Sequence, residues 1–600
     1  MVSLPGERLQ PESQQGSGQS VCLALEPDPV FGVLHKPSSP QTNPVAVLIA
    51  PPFGWEEQSS YRGRRAWAQS LADAGYPAFR FWFPGTGDSG GSPAAPDRLE
   101  AWTQAVSEAA IWLRGVTGCA RIAAIGIGLG GLVVGNALAR DAPIDDVVLW
   151  AVQASGRKMV RELRAHSKFV AARYPPDAEA LSPLPQDVAE LTGFLMSAET
   201  ERALAGLDLS QLSIPPTADR RILLIGRDRV GVDESLGTHL ASRGARVTVT
   251  TTSDHASLMT EPQEAEAPLA TIDATLSWLA EASPGSRPEV APSGPSLQRS
   301  TMELVQGSVR IRETAVALDI AGRRVFGIVC EPVTGGRASA HAVFLGAAAL
   351  PHTGPNRAWV ELARRWAAMG VPSIRMDLAG IGEADGDEKA LVDNAGLYSE
   401  QRQEEVLALL DQLEERWGWD RFVLVGLCAG AYWSLHAALA RRTVAALMIN
   451  LYAFFWSDGL VLERDRREAA AAMRSAARAG LSRHDLTASN VRRALRGIAG
   501  KLRAEGWRSL EALQTPEVDR CLDRLRDQGT HALLLLSDGE PLYEQFERER
   551  RGQRLATWPN LTIERIPSPD HMFRDLRAQR FVHEQLDRAL ERVLADEPKA

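Results

Sequence analysis

The chain repeats itself, and the repeat limits the fold more than any other feature does. In the first half an apolar run, VAVLIAPPF (45–53), precedes an amphipathic stretch, YRGRRAWAQSLADAG, and then PAFRFWFPGTGDSGG (77–91). A helical stretch follows, and after it ARIAAIGIGLGGLVVGNALA (120–139), which reads as strand, sharp glycine turn and helix. The second half runs in the same order: HAVFLGAAAL (341–350), WVELARRWAAMG, PSIRMDLAGIGEADGD (372–387), a helical stretch, and DRFVLVGLCAGAYWSLHAAL (420–439). Gly85 aligns with Gly380 and Gly128 with Cys428, at offsets of about 300 residues that need only small insertions. Strands alternating with helices predict mostly parallel sheets covered by helices on both faces, so the expected class is α/β. Since 600 residues also exceed what one hydrophobic core supports, two domains are expected. Residues 1–282 form the first and 304–600 the second, joined by a linker at 283–303 that falls largely within the Pro/Ser/Gly-rich stretch EASPGSRPEVAPSGPSLQRS (281–300).

Composition narrows the function classes. Apolar residues make up 44% and charged residues 24%, an ordinary folded balance, and the net charge of −9 carries no basic footprint for nucleic acid. No run approaches the roughly 18 uncharged apolar residues of a membrane span. The first twenty residues have no apolar core, which argues against a signal peptide. Five scattered cysteines fit reduced thiols in a cytoplasm better than a disulfide framework. The 11 histidines show no paired-ligand spacing, so neither a metal nor another cofactor is expected.

GLCAG (426–430) follows the apolar run RFVLV and opens a helix, the context that a G-x-nucleophile-x-G turn requires. Only small neighbours fit so tight a turn, which accounts for Gly426, Ala429 and Gly430 around Cys428. At a helix N-terminus the unpaired N–H groups and the dipole favour a thiolate, and the Ala429 N–H would face a developing oxyanion. A buried structural cysteine is the plain alternative. Against it stands the rest of a triad in nucleophile, acid, base order: Asp538 at the end of HALLLLSD, and His571 in the loop after TIERI. Glu540, two residues beyond Asp538, is an alternative acid.

The first half departs at the decisive position. Its elbow reads GIGLG (126–130), so Gly128 stands where the nucleophile would be. Asp228 and His255 occupy the acid and base positions, and Pro51 and Pro52 remove two N–H donors near the expected oxyanion loop. The expectation is an inactive domain kept for packing, with a base built from Asp228 and His255 as the functional alternative. GIGLGG also matches a dinucleotide fingerprint, but no acidic residue ends the next strand, and the duplication accounts for the glycines better.

Both halves resemble the α/β-hydrolase fold. The second half is similar to bacterial cysteine-elbow α/β-hydrolases with a GPNR motif, here Gly354 to Arg357, and with the glycine turn DLAGIGEADG (377–386). The first half resembles exosortase-associated and serine-aminopeptidase-like hydrolases through PPFGWEE (51–57) and FPGTGDSGG (83–91). The resemblance implies two tandem α/β-hydrolase domains, each a mostly parallel sheet with a helical cap insertion, at roughly 155–215 and 456–530. It also implies a second oxyanion donor near Ala348. Acyl transfer through an S-acyl Cys428, as an acyltransferase or thioesterase, is the expected function. Plain ester or amide hydrolysis and a non-catalytic scaffold are the competing readings. Gene clusters of the resembled group hold acyl-activating ligases and carrier proteins. The expected partner is therefore an acyl thioester or ester, with coenzyme A or a carrier protein as the acyl donor's handle. Arg464, Arg466, Arg467, Arg474, Arg478, Arg492, Arg493 and Arg496 would suit acidic carriers or phosphates, or simply form solvated helix faces.

Overall fold

A computed structural model describes residues 18–37, 44–185, 187–215, 220–228, 230–281, 300–334, 338–387, 394–456, 504–548 and 551–595. Most of the linker and the arginine-rich stretch from Arg464 to Arg496 lie outside them. The chain divides into two compact units, Met1–Arg164 with Asp187–Leu191 and Leu195–Leu304, and Ala165–Gln186 with Thr192–Phe194 and Val305–Ala600. The division is not a single cut, because residues 165–186 and 192–194 join the second unit. There Asp177 donates its N–H to the Pro567 carbonyl at 2.9 Å, and the Gln579 amide donates to the Gly193 carbonyl at 2.8 Å.

The fold is α/β, two mixed, mostly parallel sheets of eight and nine strands flanked by helices. The first unit contributes β1 (Gln19–Leu23), β2 (Val30–His35), β3 (Val45–Ala50), β4 (Ala78–Phe81), β5 (Arg121–Ile127), β6 (Asp146–Trp150), β9 (Arg221–Arg227) and β10 (Arg246–Thr252); a separate hairpin is made by β7 (Val188–Leu191) and β8 (Phe194–Ser197). Strand order is β1-β2-β4-β3-β5-β6-β9-β10, antiparallel as far as β4 and parallel from there.

The second sheet comprises β11 (Thr301–Gln306), β12 (Val309–Ile320), β13 (Arg323–Pro332), β14 (His341–Leu345), β15 (Ser373–Asp377), β16 (Phe422–Leu427), β17 (Ala445–Ile449), β18 (His531–Ser537) and β19 (Leu561–Ile566). Apart from the extra edge strand β11, its order, β12-β13-β15-β14-β16-β17-β18-β19, repeats that of the first sheet. Thr301–Gln306 is thus strand where the last linker residues were expected.

The sequence patterns explain these positions. Every residue of β14, β16 and β17 is buried, as apolar runs sandwiched between two helix layers must be, whereas β10 alternates toward solvent at its edge. In the second unit Glu313 of β12 is fully buried between Arg375 of β15 (2.6 Å) and Arg364 of the helix Ala358–Ala368 (2.7 Å). Burial alone would raise the Glu313 carboxyl's pKa, but the two guanidinium charges and their hydrogen bonds outweigh it and lower it. Burial, and after it the same buried charge, pushes the neighbouring Cys330 thiol well up, which leaves that sulfur inert. No helix of the described residues is long and apolar enough to cross a membrane.

Candidate active site

The nucleophile turn forms as its residues dictate. Strand β16 ends at Leu427, Cys428 takes φ 57° and ψ −114°, and the helix Ala429–Ala440 starts at once. A Cβ on Gly426 would lie 2.1 Å from the Gly430 carbonyl, and one on Gly430 would lie 2.5 Å from that of Gly346. Only glycine fits either place, and the second contact brings the loop after β14 against the elbow. The Cys428 N–H is held by the Ile449 carbonyl at 3.0 Å, and 8% of the residue remains exposed. Ala348, in that loop, adopts φ 46°, a left-handed conformation costly for alanine and set by a turn in which Leu350 donates to Ala347. Among the described residues neither the Ala429 nor the Ala348 N–H has a hydrogen-bond partner.

The histidine loop is tied to the ends of β17 and β18. Asn450 donates to the His571 carbonyl at 2.5 Å and to the Ser537 hydroxyl at 3.0 Å, and accepts from the Ser537 N–H at 2.7 Å. Ser537 in turn donates to the Asp570 carbonyl at 3.1 Å. This network holds His571 with its Nδ1 2.6 Å from Oε1 of Glu540. Burial disfavours the charged ring, but the charges of Glu540 and then Cys428, with the hydrogen bond to Glu540, raise its pKa well above the ordinary value. Glu540 thus occupies Nδ1, while the buried Nε2 has no hydrogen-bond partner among the described residues and the charge of Cys428 acts on the ring.

Asp538 does not meet the histidine, which corrects the expected acid. It pairs with Arg565 of β19 through both carboxylate oxygens, one contact being 2.8 Å. The reason is local: β18 ends at Ser537, Asp538 falls beside the neighbouring strand, and Gly539 at φ 80° turns the chain so that Glu540 reaches the ring.

Three further features were not legible as parts of the site. The Tyr398 hydroxyl lies 3.7 Å from the Cys428 sulfur, and its ring stacks on Trp456 at 3.8 Å. The carboxylate of Asp377, at the start of the glycine turn, accepts from the His352 N–H at 2.6 Å and the Glu383 N–H at 2.9 Å. It also contacts the His352 ring at 2.6 Å. Asp377 thereby joins the loop carrying Ala348 to the turn at Gly380–Gly386. Asn356 of the GPNR segment donates to the Met572 carbonyl at 3.3 Å, so this motif supports the loop that carries His571. The motifs were visible in sequence, but their partners are not.

The first unit has the same elbow without a side chain. Gly128 adopts φ 52° and ψ −119°, and its N–H is held by the Trp150 carbonyl at 3.0 Å. A Cβ there would lie 2.9 Å from Oε2 of Glu56, a residue that the sequence did not single out. Burial, then the nearby Glu162 charge, raise the Glu56 carboxyl to about 7, with Arg227 opposing. His255 is buried, edge-on to Trp150 at 5.5 Å. Burial and then Arg227 lower its pKa to about 4, against the charges of Asp228, Glu162 and Asp254. Among the described residues no hydrogen bond joins Asp228 to His255, and the Asp228 charge acts on the ring without one.

No family model and no curated protein matches the chain. It is similar to solved structures over a little under half its length. Est1E from Butyrivibrio proteoclasticus is 14% identical with a TM-score of 0.32, over 44% of this chain and 98% of that one. The DcsB complex with its substrate analogue shows 14% identity and a TM-score of 0.32, over 44% and 99%. XC6422 from Xanthomonas campestris, described as an a/b serine hydrolase without lid, shows 14% and 0.29, over 44% and 94%.

Proposed function

We propose that the second unit is an acyl-transfer enzyme that works through an S-acyl intermediate on Cys428, with His571 as base and Glu540 as the group that orients it. The observation that carries this reading is the imidazole held at Nδ1 by the Glu540 carboxylate, at 2.6 Å, with its buried Nε2 unpartnered among the described residues and within the electrostatic reach of the elbow cysteine. The thiolate, its proton on His571 Nε2, attacks the carbonyl carbon of an acyl thioester or ester. The C–S bond forms, the N–H groups of Ala429 and Ala348 receive the developing oxyanion, and the leaving thiol or alcohol departs with the proton from His571. An acceptor then gives its proton to His571, attacks the acyl carbon and releases Cys428. A thiol nucleophile exchanges with a thioester at little cost in bond energy, which favours thioesters of coenzyme A or of a carrier protein over plain esters. The five cysteines lack disulfide partners and four are buried, which accords with a reducing, cytoplasmic setting.

Intact-mass spectrometry after incubation with a panel of acyl thioesters tests this reading. One acyl adduct is expected, located on Cys428 and absent from Cys428→Ala protein; an adduct that persists in that variant refutes the assignment. Adding amines, alcohols or thiols to the acylated protein then separates transfer from hydrolysis by the product formed.

A further inference from the structure

The sulfur of Cys428 has a polar neighbour that the triad does not use. The Tyr398 hydroxyl lies 3.7 Å from it, and both residues are buried. A buried phenol O–H needs a hydrogen-bond partner. The segment that presents it is held on both sides of the tyrosine. The Trp433 indole N–H, on the helix that Cys428 opens, donates to the Leu397 carbonyl at 2.7 Å and fixes the backbone just before it. Ser399, just after it, caps the helix Glu400–Trp417 by accepting from the Arg402 N–H, and donates to the Gly396 carbonyl at 2.9 Å. The ring is gripped as well, stacked on Trp456 and edge-on to Tyr432 at 5.0 Å. A phenol held in this way has already lost the rotamer freedom that the hydrogen bond would otherwise have to restrain. The first unit supplies an internal comparison. At the interval that relates Gly128 to Cys428, and the cap glycine Gly118 to Gly418, it has Arg98, paired with Asp28 at 2.7 Å. The hydroxyl belongs to the unit whose elbow carries a sulfur, and the unit with a glycine elbow has an ion-paired side chain in its place.

We propose that Tyr398 is a further catalytic residue, whose hydroxyl donates a hydrogen bond to the Cys428 sulfur, keeps it ionised before attack and receives its charge when it leaves. This inference rests on the reading of Cys428 as the nucleophile. The direction of the bond follows from ordinary acidities. A thiol, at about 8.5, loses its proton before a phenol, at about 10, so the pair ionises as a thiolate beside an intact O–H. Hydrogen bonds to a charged acceptor are about twice as strong as neutral ones, so this bond is strongest when the sulfur is a thiolate. The nucleophilicity lost in stabilising the thiolate is only about half as large, on a logarithmic scale, as the acidity gained.

In the first half-reaction the electron pair of the thiolate forms the C–S bond, and the leaving group takes its proton from His571. In the second, the acceptor gives its proton to His571 and attacks the acyl carbon, the C–S bond breaks, and its electron pair returns to sulfur. The Tyr398 O–H receives that charge by hydrogen bond, without transferring its own proton. The cycle closes on thiolate, imidazolium and intact phenol. Other titratable groups act on the same sulfur. The charge of His571, which Glu540 holds at Nδ1, couples to that of Cys428 from the loop after β19. Tyr432 lies one turn along the helix, its N–H held by the Cys428 carbonyl at 3.2 Å. Burial first, and then the Glu400 charge, push the Tyr432 phenol up against a backbone hydrogen bond at Trp456, so it stays neutral while the thiol ionises.

The ultraviolet absorbance of the thiolate in the full-length protein, taken as the difference from Cys428→Ala protein, follows the ionisation of this one sulfur with pH. Tyr398→Phe keeps both ring contacts and removes the O–H. Its midpoint should move to higher pH, and kcat/KM for an acyl thioester should fall about tenfold or more, as expected for the loss of a hydrogen bond to a charged group. Replacing Tyr398 by 3-fluorotyrosine, a stronger donor of the same shape, should move the midpoint to lower pH, which a packing role for the ring does not produce. This second variant gives the answer if Tyr398→Phe protein folds poorly. The proposal is overturned if both variants titrate as wild type does, or if folded Tyr398→Phe protein moves neither the midpoint nor kcat/KM. An acyl adduct on Cys428 together with unchanged titration in the variants leaves acyl transfer standing and refutes the role of Tyr398. A shifted midpoint without any acyl adduct supports the bond to the sulfur and refutes acyl transfer.

Discussion

Replacing Glu540 by glutamine keeps the shape of the side chain and removes the charge that His571 faces at 2.6 Å. A hydrogen bond to a charged partner contributes about 1.5–3 kcal/mol, and one pKa unit corresponds to about 1.4 kcal/mol. The imidazolium should therefore lose its largest support and its pKa should fall, because burial, which already opposes its charge, would act with less opposition. The amide also offers Nδ1 either a donor or an acceptor, so the tautomer that presents Nε2 to Cys428 is no longer enforced. Turnover of an acyl thioester should fall by about 10²–10⁴-fold. The stability difference has a definite sign. A group whose pKa is raised in the folded state contributes fully below its unfolded value, about 6.5, and loses that contribution as pH rises through the folded value. Urea unfolding should thus show Glu540→Gln destabilised most just below about pH 6.5, with the gap from wild type closing as pH rises into the alkaline range. Asp538→Asn is the control. It breaks only a part-exposed pair with Arg565, worth less than about 1 kcal/mol, and turnover should change little. A crippled Asp538→Asn protein beside a nearly normal Glu540→Gln protein would refute this reasoning.

Two further outcomes follow from the buried charges of the second unit. Arg375→Met leaves the Glu313 carboxylate with Arg364 as its remaining guanidinium partner and should cost about 3–5 kcal/mol by urea unfolding. Because the Glu313 pKa is lowered in the folded state, the charge cluster's contribution is present above the ordinary carboxylate value and is lost as pH falls through the lowered one, so the gap between variant and wild type should narrow in acid. Asp377→Asn removes the carboxylate that gathers His352 and Glu383. It should lower the melting temperature and reduce turnover by more than the stability loss explains, because the loop carrying Ala348 loosens; unchanged kcat at a lowered melting temperature would count against that link.

The main architecture was legible because it rests on short-range patterns. Runs such as FVLVG and AVFL are apolar on both faces, which is what a central parallel strand between helix layers demands, and their repetition at a fixed interval predicted two sheets of like order. The elbow was legible for the same reason. Gly426, Ala429 and Gly430 are required by contacts within a few residues of Cys428, apart from the approach of Gly346. Side-chain partners across long separations were not. Whether Asp538 or Glu540 meets His571 turns on where β18 ends and how Gly539 redirects the chain, a shift of two residues that propensity does not resolve. Tyr398 reaches Cys428 from the segment before the helix Glu400–Trp417, and Asp377 reaches His352 from another strand. In the first unit the sequence determined that Gly128 has no side chain to attack with. Only the tertiary structure brings Glu56 into that space, because what stands beside an elbow is set by the packing of distant loops, and an empty position in sequence is a place another residue can fill.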